Sequence, residues 1–237
     1  MKNKVLYIVI GLCVLLVIGL CIFLVINHKE EVLTDAEKFK QDFEQYNGLT
    51  YEDTNESVID VSIPSDNPFI YKTGKEIVDI LNNEDAYVLF GYSSCPLTRA
   101  AIETLIAAAE EENIATIYYV DIRDIRDEFV PGEGIIPEQT KEGSEAYYEI
   151  VNFFGSRLDE YYVSSEDGFY LYDTGVRRVL SPTLAAVSGG KVIDMHQELV
   201  DSYTYNNEEV NDEQKEELKD IYKEILTSLN EESSRES

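Results

Sequence analysis

An apolar run from Val5 to Asn27, VLYIVIGLCVLLVIGLCIFLVIN, stands apart from everything that follows it. At about 1.5 Å of rise per residue, such a helix spans roughly 30 Å of hydrocarbon, so residues 1–28 are expected to form a transmembrane anchor. The run leads into Asn27-His28-Lys29 rather than a small-x-small exit, which argues for an uncleaved segment. Leu12 before Cys13 and Leu20 before Cys21 are bulky where a lipid-modified cysteine needs a small neighbour. Lys2 and Lys4 flank one end, and Glu30 and Glu31 follow Lys29 at the other. This charge asymmetry predicts a single-pass cell-membrane protein with a cytoplasmic N-terminus and an extracytoplasmic domain.

Past the anchor the pattern switches between helix and strand periods. Phe39, Phe43 and Tyr46 share a face from Glu30 to Gly48, with Thr34 or Asp35 as N-cap and Gly48 as the stop. SVIDVSIPSDNPF alternates at Val58, Val61 and Ile63 and breaks at Pro64 and Pro68, which predicts a short edge strand and a turn. Ile77, Val78, Ile80 and Leu81 then recur at helical spacing behind Thr73 as cap. AYVLFGY is too short for a helix and rich in strand formers, so it reads as a central buried strand. PLTRAAIETLIAAAEEEN follows with strong helix formers and Pro96 in the favoured first-turn position. Ile114 to Ile122 is a second buried strand, and the sequence strand, helix, strand implies a right-handed βαβ unit with a parallel pair.

The segment RDIRDEFVPGEGIIPEQTKEG reads as loop, with its arginines and aspartates paired as neighbours on a solvated surface. Tyr147, Ile150, Val151, Phe154 and Leu158 form the stripe of an amphipathic helix that continues through Gly155. DGFYLYDTGVRRV is a short strand between two turn signals, a hairpin lip. PTLAAVS, the turn GG and KVIDMHQ form an antiparallel pair. A last helix, behind Asn211 or Asp212, carries Leu218, Ile221, Tyr222, Ile225 and Leu229 on one face, and the polar NEESSRES is expected to be a disordered tail. The expected organisation is an anchor (1–28), a membrane-proximal helix and edge strand (29–72), an α/β domain (73–229) with an insertion at about 127–178, and a tail (230–237).

Charge narrows the partners. With 47 acidic and 19 basic residues the formal net charge is −28, which repels phosphate backbones and anionic lipid heads and excludes nucleic acid as a partner. The acidity otherwise reads as a solvated surface. His28 and His196 stand apart from each other and from any cysteine, so no metal-ligand spacing, Cys-His pair or cofactor is called for.

Cys13 and Cys21 lie within the apolar run, leaving Cys95 alone in the outer part. A cysteine without an intramolecular partner in an oxidising compartment is either buried and inert or exposed and reactive. Away from special positions the inert, hydrophobe-like role is the commoner one. Cys95, however, stands where a strand ends and a helix begins. There the unpaired N–H groups and the positive end of the macrodipole favour a thiolate. Thiol pKa values fall in such settings from about 8.5 to roughly 3.5–7.5, so the position predicts a nucleophile.

FGYSSCP, with Cys95 and Pro96 at its end, resembles the active-site entry of the thioredoxin-like superfamily, and SPTLAAVSGGKVID resembles that superfamily's cis-proline strand, hairpin and following strand. The resemblance covers roughly Thr73 to Leu229 and looks closest to membrane-bound Gram-positive members, including the bacteriocin transport accessory group. It implies a thioredoxin-like α/β fold, a central mixed sheet flanked by helices, with an insertion before the cis-proline strand. It also implies a site in which Cys95 attacks, Pro182 is cis, and Ser94, Pro96, Leu97, Ser181 and Thr183 line the groove for an extended or cysteine-containing client at the outer face of the membrane. Thr98 departs from the pattern, since it stands where the dithiol enzymes carry the resolving cysteine. A threonine cannot resolve a mixed disulfide, so an intramolecular dithiol cycle is excluded, although its hydroxyl can donate to a Cys95 thiolate. Three roles stay open: mixed disulfides resolved by an external thiol, non-covalent holding of a client, or a vestigial site on a structural domain.

Overall fold

The structure, a computed structural model, describes residues 32–52, 54–132, 136–165, 169–204 and 209–235. The expected membrane anchor, with Cys13, Cys21 and His28, lies outside the described residues. No helix among the described residues is long and apolar enough to cross a membrane.

Helix α1 (Asp35–Glu44) is followed by β1 (Phe69–Tyr71), α2 (Gly74–Asn83), β2 (Ala86–Gly91), α3 (Pro96–Glu111) and β3 (Ile117–Asp121). Two ribbons and a helix come next: β4 (Glu128–Pro131), β5 (Pro137–Lys141), α4 (Glu145–Phe154) with a 3-10 turn (Gly155–Arg157), β6 (Glu160–Ser164) and β7 (Leu171–Arg177). The chain closes with β8 (Thr183–Ser188), β9 (Lys191–Gln197) and α5 (Asp212–Arg235).

The main sheet has the order β1-β3-β2-β8-β9. Its first three strands are parallel, while β8 and β9 run antiparallel to their neighbours. The side-chain period of two splits β2 between the faces. Leu89 joins Phe39, Phe43, Ile102, Leu105, Leu184 and Leu218 on the side covered by α1, α3 and α5. Val88 and Phe90 meet Ile77, Leu81, Ile150 and Phe154 on the side covered by α2 and α4. Because β2 is buried on both faces, it reads as a continuous apolar run rather than an alternating one.

Helix caps follow the chain's own signals. Thr73 Oγ1 accepts from the Glu76 N–H, and the Glu76 carboxylate accepts from the Thr73 N–H at 2.8 Å, a complete capping box on α2. Asn211 and Gln214 exchange the same reciprocal bonds at 3.0 Å on α5.

Four expectations are corrected. Residues 57–67 form no strand beyond a single bridge between Ser57 and Thr50. Val58, Ile59, Val61 and Ile63 are all buried. The Val61 and Ile63 N–H groups bond to Asn47 Oδ1 and Glu44 Oε1, so side chains rather than a ladder satisfy this backbone. The edge strand is Phe69–Tyr71, paired with β3, which ties the segment before Thr73 into the same sheet and core.

The stretch read as a loop after β3 contains the β4–β5 ribbon, whose residues are only half-buried or exposed and so carry no apolar alternation. Helix α4 stops at Phe154 because Gly155 adopts φ +54, a left-handed conformation that favours glycine. Leu158 is still buried, but from beyond the helix, and Glu160–Ser164 becomes a strand paired with β7. At the C-terminus the helix runs on to Arg235, through most of the tail expected to be disordered.

Candidate functional site

Strand β2 delivers the chain to Gly91, and five residues later α3 begins. The Cys95 N–H donates to the Tyr92 carbonyl at 3.0 Å, closing a turn, and the Arg99 N–H donates to the Cys95 carbonyl at 2.9 Å as the first bond of the helix. Cys95 is thus the N-cap of α3, with Pro96 in the first turn. Its side chain makes no capping bond, so the sulfur is directed elsewhere. A Cβ on Gly91 would lie 3.1 Å from Thr98 Cγ2 and 3.2 Å from its Oγ1, so glycine permits the strand end to approach the helix this closely.

Opposite this junction the chain enters β8 through Ser181-Pro182, whose peptide bond is cis. Cys95 Sγ donates to the Ser181 carbonyl at 3.4 Å. Thr98 Oγ1 and Ser181 Oγ are hydrogen-bonded at 2.8 Å. The Thr98 hydroxyl, expected to serve the sulfur, is therefore engaged with Ser181. Cys95 is a free thiol, 5% exposed, and Thr98, Ser181, Pro182 and Thr183 are likewise buried. Thr183 is paired on both sides, with Phe90 and Gln197, and its hydroxyl donates to the Leu180 carbonyl. Ser94, Pro96 and Leu97 are partly exposed at the rim. The structure thus brings Cys95, Thr98 and Ser181 into direct contact, with Pro182 adjacent.

Several residues around the site were not legible as part of it. Arg99, 1% exposed, has its Nε on the Ile59 carbonyl, its Nη1 on the Phe43 and Ser93 carbonyls and its Nη2 on Asn47 Oδ1. Burial lowers its pKa, and these bonds satisfy a buried cation while fixing the loop before Cys95 to the end of α1.

Tyr92 is the other unexpected member. Burial pushes its phenol up to about 12. Arg126 Nη2 donates to the Tyr92 oxygen at 3.4 Å. The Arg126 and Arg123 guanidinium groups lie 4.9 and 5.7 Å from the centre of the same ring. Arg123 Nη1 also donates to Ser94 Oγ at 2.9 Å.

The charged run DIRDIRDEF is therefore not a solvated loop of neighbour pairs. Arg123 and Arg126 reach the β2–α3 loop, and Asp127 forms an ion pair with Arg178 at 3.2 Å, both side chains 5% exposed. Arg178 also lies 4.2 Å from the Tyr161 ring centre. Burial raises the Asp127 carboxyl above the usual carboxylate range, against the opposing pull of Arg178 and Arg126. His196 stands beside the Tyr222 ring, and burial lowers its imidazole. Among the described residues, no group of three or more His, Cys, Asp or Glu side chains is placed to hold a metal ion.

The arrangement offers one thiol at a helix N-terminus, a carbonyl and a hydroxyl from the strand entry facing it, and a tyrosine backed by two arginines alongside. Comparison with protein-family models, with curated proteins and with solved structures found no match for this chain.

Proposed function

We propose that the chain is a membrane-anchored, extracytoplasmic thioredoxin-like protein that exchanges disulfides through Cys95 alone. The strand order β1-β3-β2-β8-β9, with β8 and β9 antiparallel to the rest, supports the thioredoxin-like reading of the fold. The observation that carries the functional reading is the meeting of Cys95 Sγ, at the N-cap of α3, with the Ser181 carbonyl of the Ser181-Pro182 segment. A client lying along that segment in extended form brings its own disulfide to the sulfur.

Cys95 first loses its proton to solvent. The thiolate then attacks one sulfur of the client disulfide, so the Cys95–client S–S bond forms, the client's own S–S bond breaks, and the second client sulfur leaves as a thiolate. An external thiol, once deprotonated, attacks the mixed disulfide, takes over the bond to the client and returns Cys95 as thiolate. No electrons accumulate on the chain, which is what a site with Thr98 in the second position requires. Membrane tethering raises the effective concentration of such clients at the outer face of the membrane, where exported peptides or a transporter would be met.

A second reading has its own support. Cys95 is 5% exposed, and the Thr98–Ser181 bond closes the side a second thiol would occupy. On that reading the groove holds clients without covalent chemistry, as a redox-inactive accessory module of a secretion or transport system.

The two separate on one experiment. Exchange predicts alkylation of Cys95 by iodoacetamide at pH 6 that outpaces a small-molecule thiol, together with disulfide-linked partners on non-reducing gels that vanish in Cys95→Ser. Slow alkylation with no adducts would overturn exchange and leave the binding module.

A further inference from the structure

Exposed apolar side chains are not spread evenly over the fold. Among the described residues, the large ones in solvent lie between Val130 and Val176, within the inserted segment, apart from Val32, Leu33 and Leu49. They gather where the two ribbons end. β4 lies beside β6 and β5 beside β7, Phe129 meets Tyr161 with 6.2 Å between ring centres, and Arg178 closes on Asp127, so both ribbons leave one base and run the same way. At the far end Ile136, Phe169, Tyr170 and Leu171 are 64–82% exposed. Charge is graded along the same axis. Lys141 and Arg177 are held at the base by Glu128 and Glu160. Nearer the far end the exposed charged groups of the strands are Glu138 and Asp173, and among the described ribbon residues no cation accompanies them.

We infer that this end of the two ribbons is the docking surface for the client, and that it selects a cationic, apolar polypeptide segment. Ile136 and Leu171 offer aliphatic contact, Phe169 and Tyr170 offer ring faces that attract a lysine or arginine, and Glu138 and Asp173 offer the countercharge. Apolar side chains gathered in this way on an otherwise solvated surface mark a place of association. A lipid surface fits them poorly, since membrane-binding apolar faces carry lysine and arginine at their rim rather than carboxylates. A second copy fits no better, because a chain of net charge −28 repels itself. The inserted segment also joins this surface to the thiol. Asp127 follows Arg126, whose guanidinium reaches Tyr92 in the loop before Cys95, and Arg178 leads into Ser181, whose carbonyl accepts from the Cys95 thiol. A client held at the ribbon ends is thereby tethered to the chain segment that meets the sulfur.

The inference rests on the chain having polypeptide clients, which both functional readings share, and its test involves no sulfur chemistry. The probe is a fluorescent, cysteine-free octapeptide alternating lysine with leucine, titrated by anisotropy against the full chain in phosphatidylcholine nanodiscs, with empty nanodiscs as reference. Binding above that reference is expected, and it weakens severalfold between about 50 and about 300 mM NaCl. Tyr170→Ser with Leu171→Ser is expected to weaken it about tenfold, as loss of one buried aliphatic contact does. Glu138→Gln with Asp173→Asn weakens it roughly threefold, and asparagine keeps the acceptor that Asp173 offers the Gly175 N–H. Thermal unfolding of each variant checks that the fold is kept. No binding above empty nanodiscs overturns the inference, as does equal binding of the peptide with glutamate in place of lysine, or an affinity untouched by the Tyr170 and Leu171 substitutions. Substitutions there that instead reduce co-flotation with vesicles, or turn a sedimenting dimer into monomer, assign the surface to lipid or to a second copy and overturn it too. Such a failure leaves exchange to be decided at Cys95, whereas slow Cys95 alkylation beside intact peptide binding overturns exchange alone.

Discussion

The main sheet and the two ribbons between β3 and β8 are held by different physics. Strands β2 and β8 are buried almost throughout, as AYVLFG and TLAAVS, and each pairs on both sides. Strands β4 to β7 are half-buried or exposed at every position except Val163, pair only within their own ribbons, and leave Val130, Tyr162 and Leu171 in solvent. What ties this inserted segment inward is its helix, whose Tyr147, Ile150 and Phe154 join Leu81 and Phe90 in the core, while Asp127, Arg178 and Tyr161 hold its two ends together. The sheet removes apolar area from water on both faces; the ribbons remove little, and the segment that carries them is anchored through α4. The candidate thiol sits where the two meet, with β2 and α3 presenting Cys95 and the segment after β3 supplying the arginines.

Phe90 is fully buried and packs edge-on against Phe154, 5.5 Å between ring centres. Phe90→Ala is expected to lower the unfolding free energy by about 4 kcal/mol, read by chemical denaturation. A loss below about 1 kcal/mol would mean that the sheet is not the stabilising element.

Next comes the buried ion pair. Arg178→Met leaves Asp127 without its partner in a site already unfavourable to charge, and is expected to cost about 3 kcal/mol at neutral pH. The sign with pH follows from the raised Asp127 carboxyl. Above its ordinary value the unfolded state releases that proton while the folded state holds it, so stability falls as pH rises toward the raised value. Removing the guanidinium raises the carboxyl further. The deficit of Arg178→Met relative to the parent should therefore shrink as pH falls toward 4, and denaturation at pH 4.5 and pH 7.5 would reveal a constant deficit if the pair contributes through packing alone.

The smallest effect lies on the ribbon surface. Glu128 pairs with Lys141 at 3.1 Å, but the two side chains are 51% and 36% exposed. Glu128→Gln should change stability by about 0.5 kcal/mol or less. A larger loss in the same titration would mean that the ribbon is held by its surface charges.

Burial also explains what could be read in advance. Strands β2 and β3, helix α3, the β8–β9 hairpin and α5 were legible because continuous burial writes itself as unbroken apolar runs and amphipathic stripes. The Thr73 and Asn211 caps were legible because they satisfy nearby backbone within one turn. Strand β7 was legible as a hairpin lip, but the rest of the ribbons and the 57–67 segment were not. The first has little apolar surface to declare, and the second satisfies its backbone with Asn47 and Glu44 side chains that no periodicity marks.

At the site the division is the same. That a lone thiol, Cys95, stands between a buried strand and a helix with proline in its first turn is written in local composition, which sets both elements. What the sulfur meets depends on the packing of distant segments. Ser181 lies 86 residues away from Cys95, Arg126 lies 34 from Tyr92, and Asp127 reaches Arg178 across 51. Polar contacts of that separation follow from how strands are ordered in the sheet, and no local pattern encodes them. The same fact reassigned Thr98, whose hydroxyl is claimed by Ser181 once β8 lies beside β2.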